Sequence, residues 1–222
     1  MSCTKVELGE KLKSIKNINR LENILATLMP PEDIYIIDKI KESGFNKIYF
    51  PLEVYDKHLF SIICPGKLEY GYDKIINALQ YAVDVFGAGN VYTNFVYGIQ
   101  SLDSSLDPNS HDPLMENEVS LNAVDSMLNL KIIPAFTIYH YSGYNKIGEI
   151  KLNSEELHKF FISWGEKVLK SNLINEGNKS VIFSQMTLSN TMYNDGFLIA
   201  KTHAYGVLTR YIKLWLFNQK IS

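Results

Sequence analysis

The first part of the chain has the hydrophobic spacing of two helices. Over residues 6–28, apolar residues recur mostly three and four positions apart, which is typical of a helix with one buried face. The stretch "MPPED" ends this pattern and opens a second helix over about 32–43, which Gly44 closes with a left-handed cap. The pattern therefore predicts a helical lead-in over residues 1–44.

From residue 45 onward, short β-branched and aromatic runs alternate with helical ones. The short runs predict strands over residues 47–55, 90–99, 131–141 and 179–188. Helical spacing predicts helices over residues 72–87, 121–130 and 154–170, the last with Ser154 as its N-cap. Such alternation is typical of parallel strands joined by crossover helices. The sequence therefore predicts an α/β fold whose parallel sheet of βα units is either open or part of a barrel.

A last helix is predicted over residues 203–217, where aromatic and aliphatic residues again recur at helical spacing. We interpret it as a helix that closes the core, and the alternative is docking to a partner or to a membrane surface. The length favours a single domain over residues 1–222. Within it, residues 45–170 carry the βα units and residues 171–222 form a C-terminal extension of strand and helix.

Charge and cysteine content exclude several classes of function. The chain has 222 residues with 22 basic and 24 acidic ones, a net charge of −2, so no overall field attracts nucleic acid or an anionic membrane. Cys3 and Cys64 cannot form a disulfide framework, and the N-terminus has no apolar secretory segment. No apolar stretch reaches the length of a membrane span. We therefore expect a cytoplasmic protein without nucleic-acid or membrane partners.

Several familiar motifs have simpler interpretations. No two histidines have the spacing of zinc ligands, so no metal site is predicted. The stretch "FGAGN" lies between a helix and a strand, which is the reverse of a dinucleotide-binding loop, so Gly87 and Gly89 are interpreted as a helix cap and a tight turn. Cys64 has no basic partner that clearly lowers its pKa, and we interpret it as a small apolar residue.

Polar residues follow three of the predicted strands, where parallel α/β sheets place their ligand sites. Glu53 follows the first strand, and the paired oxygens of a carboxylate match the two hydroxyls of a ribose. The alternative is that Glu53 caps the next helix or pairs with Lys57. Asp56 is interpreted as a first-turn helix residue, although a Glu53–Asp56 acid–base pair stays open. Further candidates at this edge are Gly98, Gln100, His140 and Tyr144, and for His140 a partly buried surface position is the alternative.

The run over residues 46–102 resembles the middle of a radical SAM (S-adenosylmethionine) enzyme barrel. In biotin-synthase-like and related members, a strand ending "NLEV.D" leads to "CPGK" and then to "GYD..I.AL..AV..FG.G.V..NFV.GLEP". This chain reads "PLEVYD", "CPGK", "GYDKIINALQYAVDVFGAGNVYTNFVYGIQ". The similarity covers about residues 32–170 and continues through "KIIPAFTIYHYSGY" and "LNSEELHKFF". The resemblance implies part of a TIM-like barrel.

The resemblance also implies roles for individual residues. Glu53 takes the position whose carboxylate binds the ribose of SAM, and Gly98 and Gln100 lie near the methionine or adenine part. Ile133 and Pro134 belong to the backbone stretch beside the adenine. His140 and Tyr144 face a small-molecule substrate, an assignment that rests on strand-end geometry alone. Two positions depart from the pattern, since Pro51 replaces an asparagine and Gln100 a glutamate.

A third departure concerns the iron–sulfur cluster. Radical SAM enzymes hold a [4Fe–4S] cluster with three cysteines spaced C-x3-C-x2-C, and this chain contains no such triad. The leading hypothesis is the C-terminal portion of a radical SAM enzyme, truncated or encoded by a split gene, that binds SAM and depends on another chain for the cluster. The alternative is a cluster-less, non-catalytic subunit that binds a small molecule or a partner protein.

Overall fold

In the part of the chain that the structure describes, the sheet contains four parallel strands in the order in which they occur along the sequence. A computed structural model describes residues 7, 24–143, 145–175 and 178. The strands lie in the order β1-β2-β3-β4, and every neighbouring pair is parallel. Their bounds are β1 (Leu25–Thr27), β2 (Lys47–Tyr49), β3 (Val91–Tyr97) and β4 (Ile133–Ile138). The predicted α/β fold with a parallel sheet is confirmed, and it is consistent with part of a βα barrel.

Helices connect the strands, as parallel neighbours require. They are α1 (Ile36–Glu42), α2 (Lys57–Ile63), α3 (Pro65–Leu68), α4 (Tyr72–Phe86), α5 (Pro113–Asn129) and α6 (Ser154–Lys170), with a short 3-10 helix at Pro108–Ser110. Gly44 and Gly87 follow α1 and α4 with φ of 107° and 86°, so both predicted caps are confirmed. Asp56 is the N-cap of α2, one position earlier than predicted, because its side chain accepts a hydrogen bond from the Leu59 amide.

The predicted first helix is wrong over residues 25–27, which form β1. These residues pair in parallel register with Lys47–Tyr49, and Ala26 is fully buried. A short apolar run cannot be assigned to helix or strand by spacing alone. The two prolines that follow at 30 and 31 also favour an extended approach. Pairing with β2 therefore decides the conformation. Residues 6 and 8–23 of the predicted helix lie outside the described residues.

Helix α5 begins eight residues earlier than the sequence indicates. Its start is defined by Asp112, whose side chain accepts hydrogen bonds from the Leu114 and Met115 amides, and by Pro113 at the first helical position. The hydrophobic spacing does not reveal this turn, since the buried positions include polar Glu116 and Ser120. The predicted strand over 179–188 and helix over 203–217 lie outside the described residues.

Aromatic side chains pack helix α6 against β3 and β4. The ring centroid of Phe160 lies 4.7 Å from those of Tyr97 and Phe136, and Trp164 lies 5.8 Å from Phe136. The Trp164 indole Nε1 also donates a hydrogen bond to the Pro134 carbonyl at 3.0 Å. Tyr97 of β3 therefore faces α6. Successive side chains of a strand point to opposite faces, so Asn94, three residues before Tyr97, projects from the face opposite α6. We call this the inner face.

The N-cap of α6 is Asn153, not the predicted Ser154. The Asn153 side chain accepts hydrogen bonds from the Glu155 and Glu156 amides at 2.9 and 3.2 Å. We expect Asn153→Ala to lower the free energy of unfolding by about 1 kcal/mol, because two amides lose their acceptor. Ser154→Ala is the matched control and should leave stability unchanged. Urea unfolding followed by circular dichroism measures both, and an equal loss in the two variants contradicts the assignment.

Candidate functional site

Glu53 lies where the chain rejoins the sheet after β2. Strand β2 ends at Tyr49, and Pro51 follows two residues later. Because proline has no amide hydrogen to donate, the predicted strand over 47–55 is interrupted here. A single bridge then joins Glu53 to Phe95, with the Glu53 amide donating to the Asn94 carbonyl at 2.7 Å. Glu53 has φ of 76°, which residues other than glycine rarely adopt. This strained backbone aims the side chain at the inner face.

Two side chains from the described residues hold the Glu53 carboxylate. Lys67 Nζ donates to Oε1 at 2.9 Å, and Asn94 Nδ2 donates to Oε2 at 3.1 Å. Lys67 also donates to the Pro51 carbonyl at 2.8 Å, so the ammonium group is fixed by the same short segment. The Glu53 side chain is 28% exposed. An ionised carboxylate has about four lone-pair positions, so it can accept further hydrogen bonds from a ligand.

Asn94 adds an acceptor with no partner among the described residues. Its side-chain amide donates to Glu53 and to Thr137 Oγ1 at 3.2 Å, but its buried Oδ1 accepts nothing from them. Tyr92 Oη, on the same strand face two residues earlier, is likewise buried and without a partner in the described part of the chain. Buried polar atoms are nearly always hydrogen-bonded. Both atoms are shielded from solvent, so the partly exposed Glu53 carboxylate is the group of this set that is open to a ligand.

Charge and burial set the protonation of the groups around Glu53. Burial raises the pKa of Tyr49, and the Glu53 carboxylate raises it further, so this phenol stays neutral. Burial also raises the pKa of the Cys64 thiol to about 11, although nearby Lys67 lowers it. The thiol is therefore protonated at neutral pH and is a poor nucleophile.

The Gln100 side chain forms hydrogen bonds with the backbone around Glu53. Its Nε2 donates to the Glu53 carbonyl at 2.9 Å and to the Val96 carbonyl at 2.8 Å, and its Oε1 accepts from the Tyr55 amide at 2.9 Å. Gln100 is only 3% exposed. Two of the sequence-predicted residues, Glu53 and Gln100, are thus brought into direct contact.

Gly98 makes the turn after β3 possible. Its φ is 106°, and a Cβ there would lie 2.9 Å from Leu152 Cδ2, so a side chain at this position meets both strain and a clash. The predicted role of Gly98 beside SAM stays a prediction.

The remaining predicted residues lie along β4 and beyond it. Ile133 and Pro134 are buried and pair with Tyr92 and Thr93 of β3, which places both near the start of β4. His140 is exposed and lies beyond the end of that strand, where its carbonyl accepts a hydrogen bond from Asn145. Tyr144 lies outside the described residues. This hydrogen bond joins His140 to Asn145 and not to the residues around Glu53.

Sequence reasoning missed three side chains of the site, which are Lys67, Asn94 and Thr137. Lys67 is the last letter of "CPGK" and Asn94 the first of "NFV", so both stand in the stretches that carry the family resemblance. Their contact with Glu53 spans 14 and 41 positions of sequence. Only the parallel sheet brings these positions together.

The described residues contain neither a metal-binding cluster nor a membrane-spanning helix. Within residues 24–143, 145–175 and 178, no group of three or more histidine, cysteine or acidic residues is arranged to hold a metal ion. In the same part of the chain, no helix combines the length and apolar character required to cross a bilayer.

Comparison with known proteins finds a partial similarity to one enzyme. The chain is 30% identical over 119 residues to a bacteriochlorophyllide c C-7(1)-hydroxylase of Chlorobaculum limnaeum. The matched stretch is 53% of this chain and 28% of the hydroxylase, so it corresponds to well under half of that protein. No protein-family model matches the chain, and no solved structure matches it.

Proposed function

We propose that this chain carries the SAM-binding part of a radical SAM-type enzyme and that Glu53 binds the ribose of SAM. The observation that carries the proposal is the Glu53 carboxylate, oriented by Lys67 and Asn94 at the edge where the parallel strands end. The partial similarity to the hydroxylase supports it, as does the family resemblance of residues 46–102.

The chemistry of Glu53 fits a vicinal diol. Both carboxylate oxygens are acceptors, and hydroxyl groups that donate to an ionised carboxylate form short, strong hydrogen bonds. Lys67 balances the negative charge of Glu53. A neutral ribose can therefore cover the carboxylate without burying an unpaired charge.

The cluster itself does not fit the residues of this chain. In radical SAM enzymes the [4Fe–4S] cluster reductively cleaves SAM, and hydrogen abstraction from the substrate follows. The chain has two cysteines, Cys3 and Cys64, which do not supply the three thiolates that hold such a cluster. We therefore propose that a separate cluster-bearing segment or partner chain completes the enzyme, and that the substrate is a small molecule whose C–H bond is attacked, as in the carbon hydroxylation named for the relative.

The absent cysteine triad also favours a second candidate, a subunit that binds a small molecule or partner protein without catalysing a reaction. The two candidates differ when the chain is mixed anaerobically with a reconstituted cluster-bearing partner. Cleavage of SAM by the mixture supports the enzyme. SAM binding without cleavage supports the binding subunit.

The ligand side of the site is tested with nucleosides. We expect SAM to bind and adenosine to compete with it, whereas 2′-deoxyadenosine should compete about tenfold more weakly, because one hydroxyl no longer donates to the carboxylate. Isothermal titration calorimetry with competition measures these affinities. Guanosine has the same ribose as adenosine but a different base, so its affinity shows how much of the binding depends on the ribose alone. Equal affinities for adenosine and 2′-deoxyadenosine contradict the proposed contact.

A further inference from the structure

Glu116 is a buried carboxylate beneath the turn that follows β3. Its side chain is fully buried on helix α5. Oε1 accepts a hydrogen bond from the Gly98 amide at 2.7 Å, and Oε2 accepts one from the Ser101 amide at 3.0 Å. Ser120 Oγ donates to Oε1 at 3.3 Å. The carboxylate therefore holds both ends of the turn over residues 98–101.

This turn is connected directly to the backbone of Glu53. Gln100 lies between the two amides that Glu116 holds, and its side chain bonds the Glu53 carbonyl and the Tyr55 amide, on the two sides of Val54. Glu53 has a positive φ that persists only where surrounding structure supports it. The orientation of the Glu53 side chain consequently depends on a turn that Glu116 fixes.

We propose that Glu116 is a positioning residue for Glu53, acting through the turn at residues 98–101 and the Gln100 side chain. The proposal deepens the SAM-binding function and rests on it for its functional consequence. Its structural part, the connection from Glu116 to Gln100 and Glu53, stands without any ligand.

Among the described residues, His111 is the basic side chain that lies within 4 Å of the Glu116 carboxylate. The His111 Nε2 atom lies 3.8 Å from Glu116 Oε2, is buried, and has no hydrogen-bond partner in the described part of the chain. Three other titratable groups face this pair. They are Asp112, which acts on His111, Tyr97 of β3, which Glu116 acts on, and Glu156 of α6, which acts on Tyr97.

Burial gives this pair its sensitivity to pH. It raises the pKa of Glu116 to about 7, although the hydrogen bonds from Gly98 and Ser101 lower it, and it lowers the pKa of His111. Above pH 7 the charged carboxylate is the stronger acceptor and holds the turn tightly. Below pH 7 the neutral acid holds it less well. We therefore expect ligand affinity to fall as the pH drops through 7.

Stability should follow the opposite trend. Because the pKa of Glu116 in the folded protein is above its ordinary value of 4.5, its contribution to stability is fully present below pH 4.5 and is lost as the pH rises through about 7. The charge thus costs stability while it orders the site. A carboxylate with only a structural role does not produce this separation of stability and affinity.

The test compares Glu116→Gln with the wild type and with Glu118→Gln, an exposed glutamate on the same helix. First, ¹H–¹⁵N spectra are recorded without ligand from pH 5.5 to 8.5. In the wild type and in Glu118→Gln, we expect the Gly98 and Ser101 amides and the Gln100 side-chain amide to shift with one common midpoint near pH 7. In Glu116→Gln this titration should be absent.

Second, calorimetry with SAM is carried out at pH 6 and pH 8, with thermal unfolding of the same samples. We expect Glu116→Gln to bind SAM about five- to tenfold more weakly than the wild type at pH 8 and equally at pH 6. The unfolding midpoint of Glu116→Gln relative to the wild type should rise with pH.

Each readout has an outcome that overturns the proposal. If the Gly98 and Ser101 amides titrate but the Gln100 side chain does not, Glu116 is a local anchor of the turn and does not position Glu53. If Glu116→Gln binds SAM as tightly as the wild type at pH 8, the positioning role is also wrong. Failure of the wild type to bind SAM refutes the proposed function instead, and the spectra then decide the structural connection.

Discussion

Replacement of Trp164 by alanine is expected to lower the free energy of unfolding by about 3–5 kcal/mol. Trp164 is 2% exposed and packs its indole against Phe136 and Phe160. Its removal leaves a large cavity between α6 and the sheet, and the Pro134 carbonyl loses its hydrogen-bond donor. Urea unfolding followed by circular dichroism measures the change.

Tyr141→Ala is the control for this substitution, since Tyr141 is also aromatic but is 41% exposed. We expect its effect to stay within about 0.5 kcal/mol. If Trp164→Ala is too unstable to purify, Trp164→Phe keeps most of the ring contacts and loses the indole donor, and its smaller loss can still be measured. A wild-type midpoint for Trp164→Ala contradicts the packing of α6 on the sheet.

Replacement of Glu53 by glutamine is expected to weaken SAM binding about 30-fold, or about 2 kcal/mol. The variant keeps the size of the side chain and one acceptor oxygen, but it loses the charge that Lys67 balances and that strengthens hydrogen bonds from ribose hydroxyls. Isothermal titration calorimetry at fixed ionic strength measures the affinity.

Glu69→Gln is the matched control because Glu69 is an exposed glutamate two residues from Lys67. It changes the net charge equally and should bind SAM like the wild type. Thermal unfolding of both variants separates a lost contact from a damaged fold. A similar loss of affinity in Glu53→Gln and Glu69→Gln means that net charge, and not a contact to the ribose, is responsible.

The fold was predictable where secondary structure is set by local sequence. The long amphipathic helix α4 and the β-branched strand β3 have clear periodicity and end at Gly87 and Gly98, and both were predicted within about two residues at each end. Strand β1 was not predictable, because its short apolar run fits either structure and its pairing with β2 decides. The start of α5 was missed because its buried positions are polar.

The candidate site was predictable only in part for a similar reason. A carboxylate directly after a strand indicates a ligand at the carboxyl edge of the sheet, and this rule identified Glu53. Lys67 and Asn94 contact Glu53 from separate elements, so no local sequence pattern predicts these contacts. The role of Glu116 is still harder to predict, because its partners are backbone amides. Every residue except proline has such an amide, so the sequence does not mark these two.

The central claim, that Glu53 recognises the ribose diol, is tested most directly by a cycle of two proteins and two ligands. The affinities of adenosine and 2′-deoxyadenosine are measured for the wild type and for Glu53→Gln. We predict a preference of about tenfold for adenosine in the wild type and of less than about twofold in Glu53→Gln, which corresponds to a coupling energy of about 1 kcal/mol. The same preference in both proteins would contradict the claim.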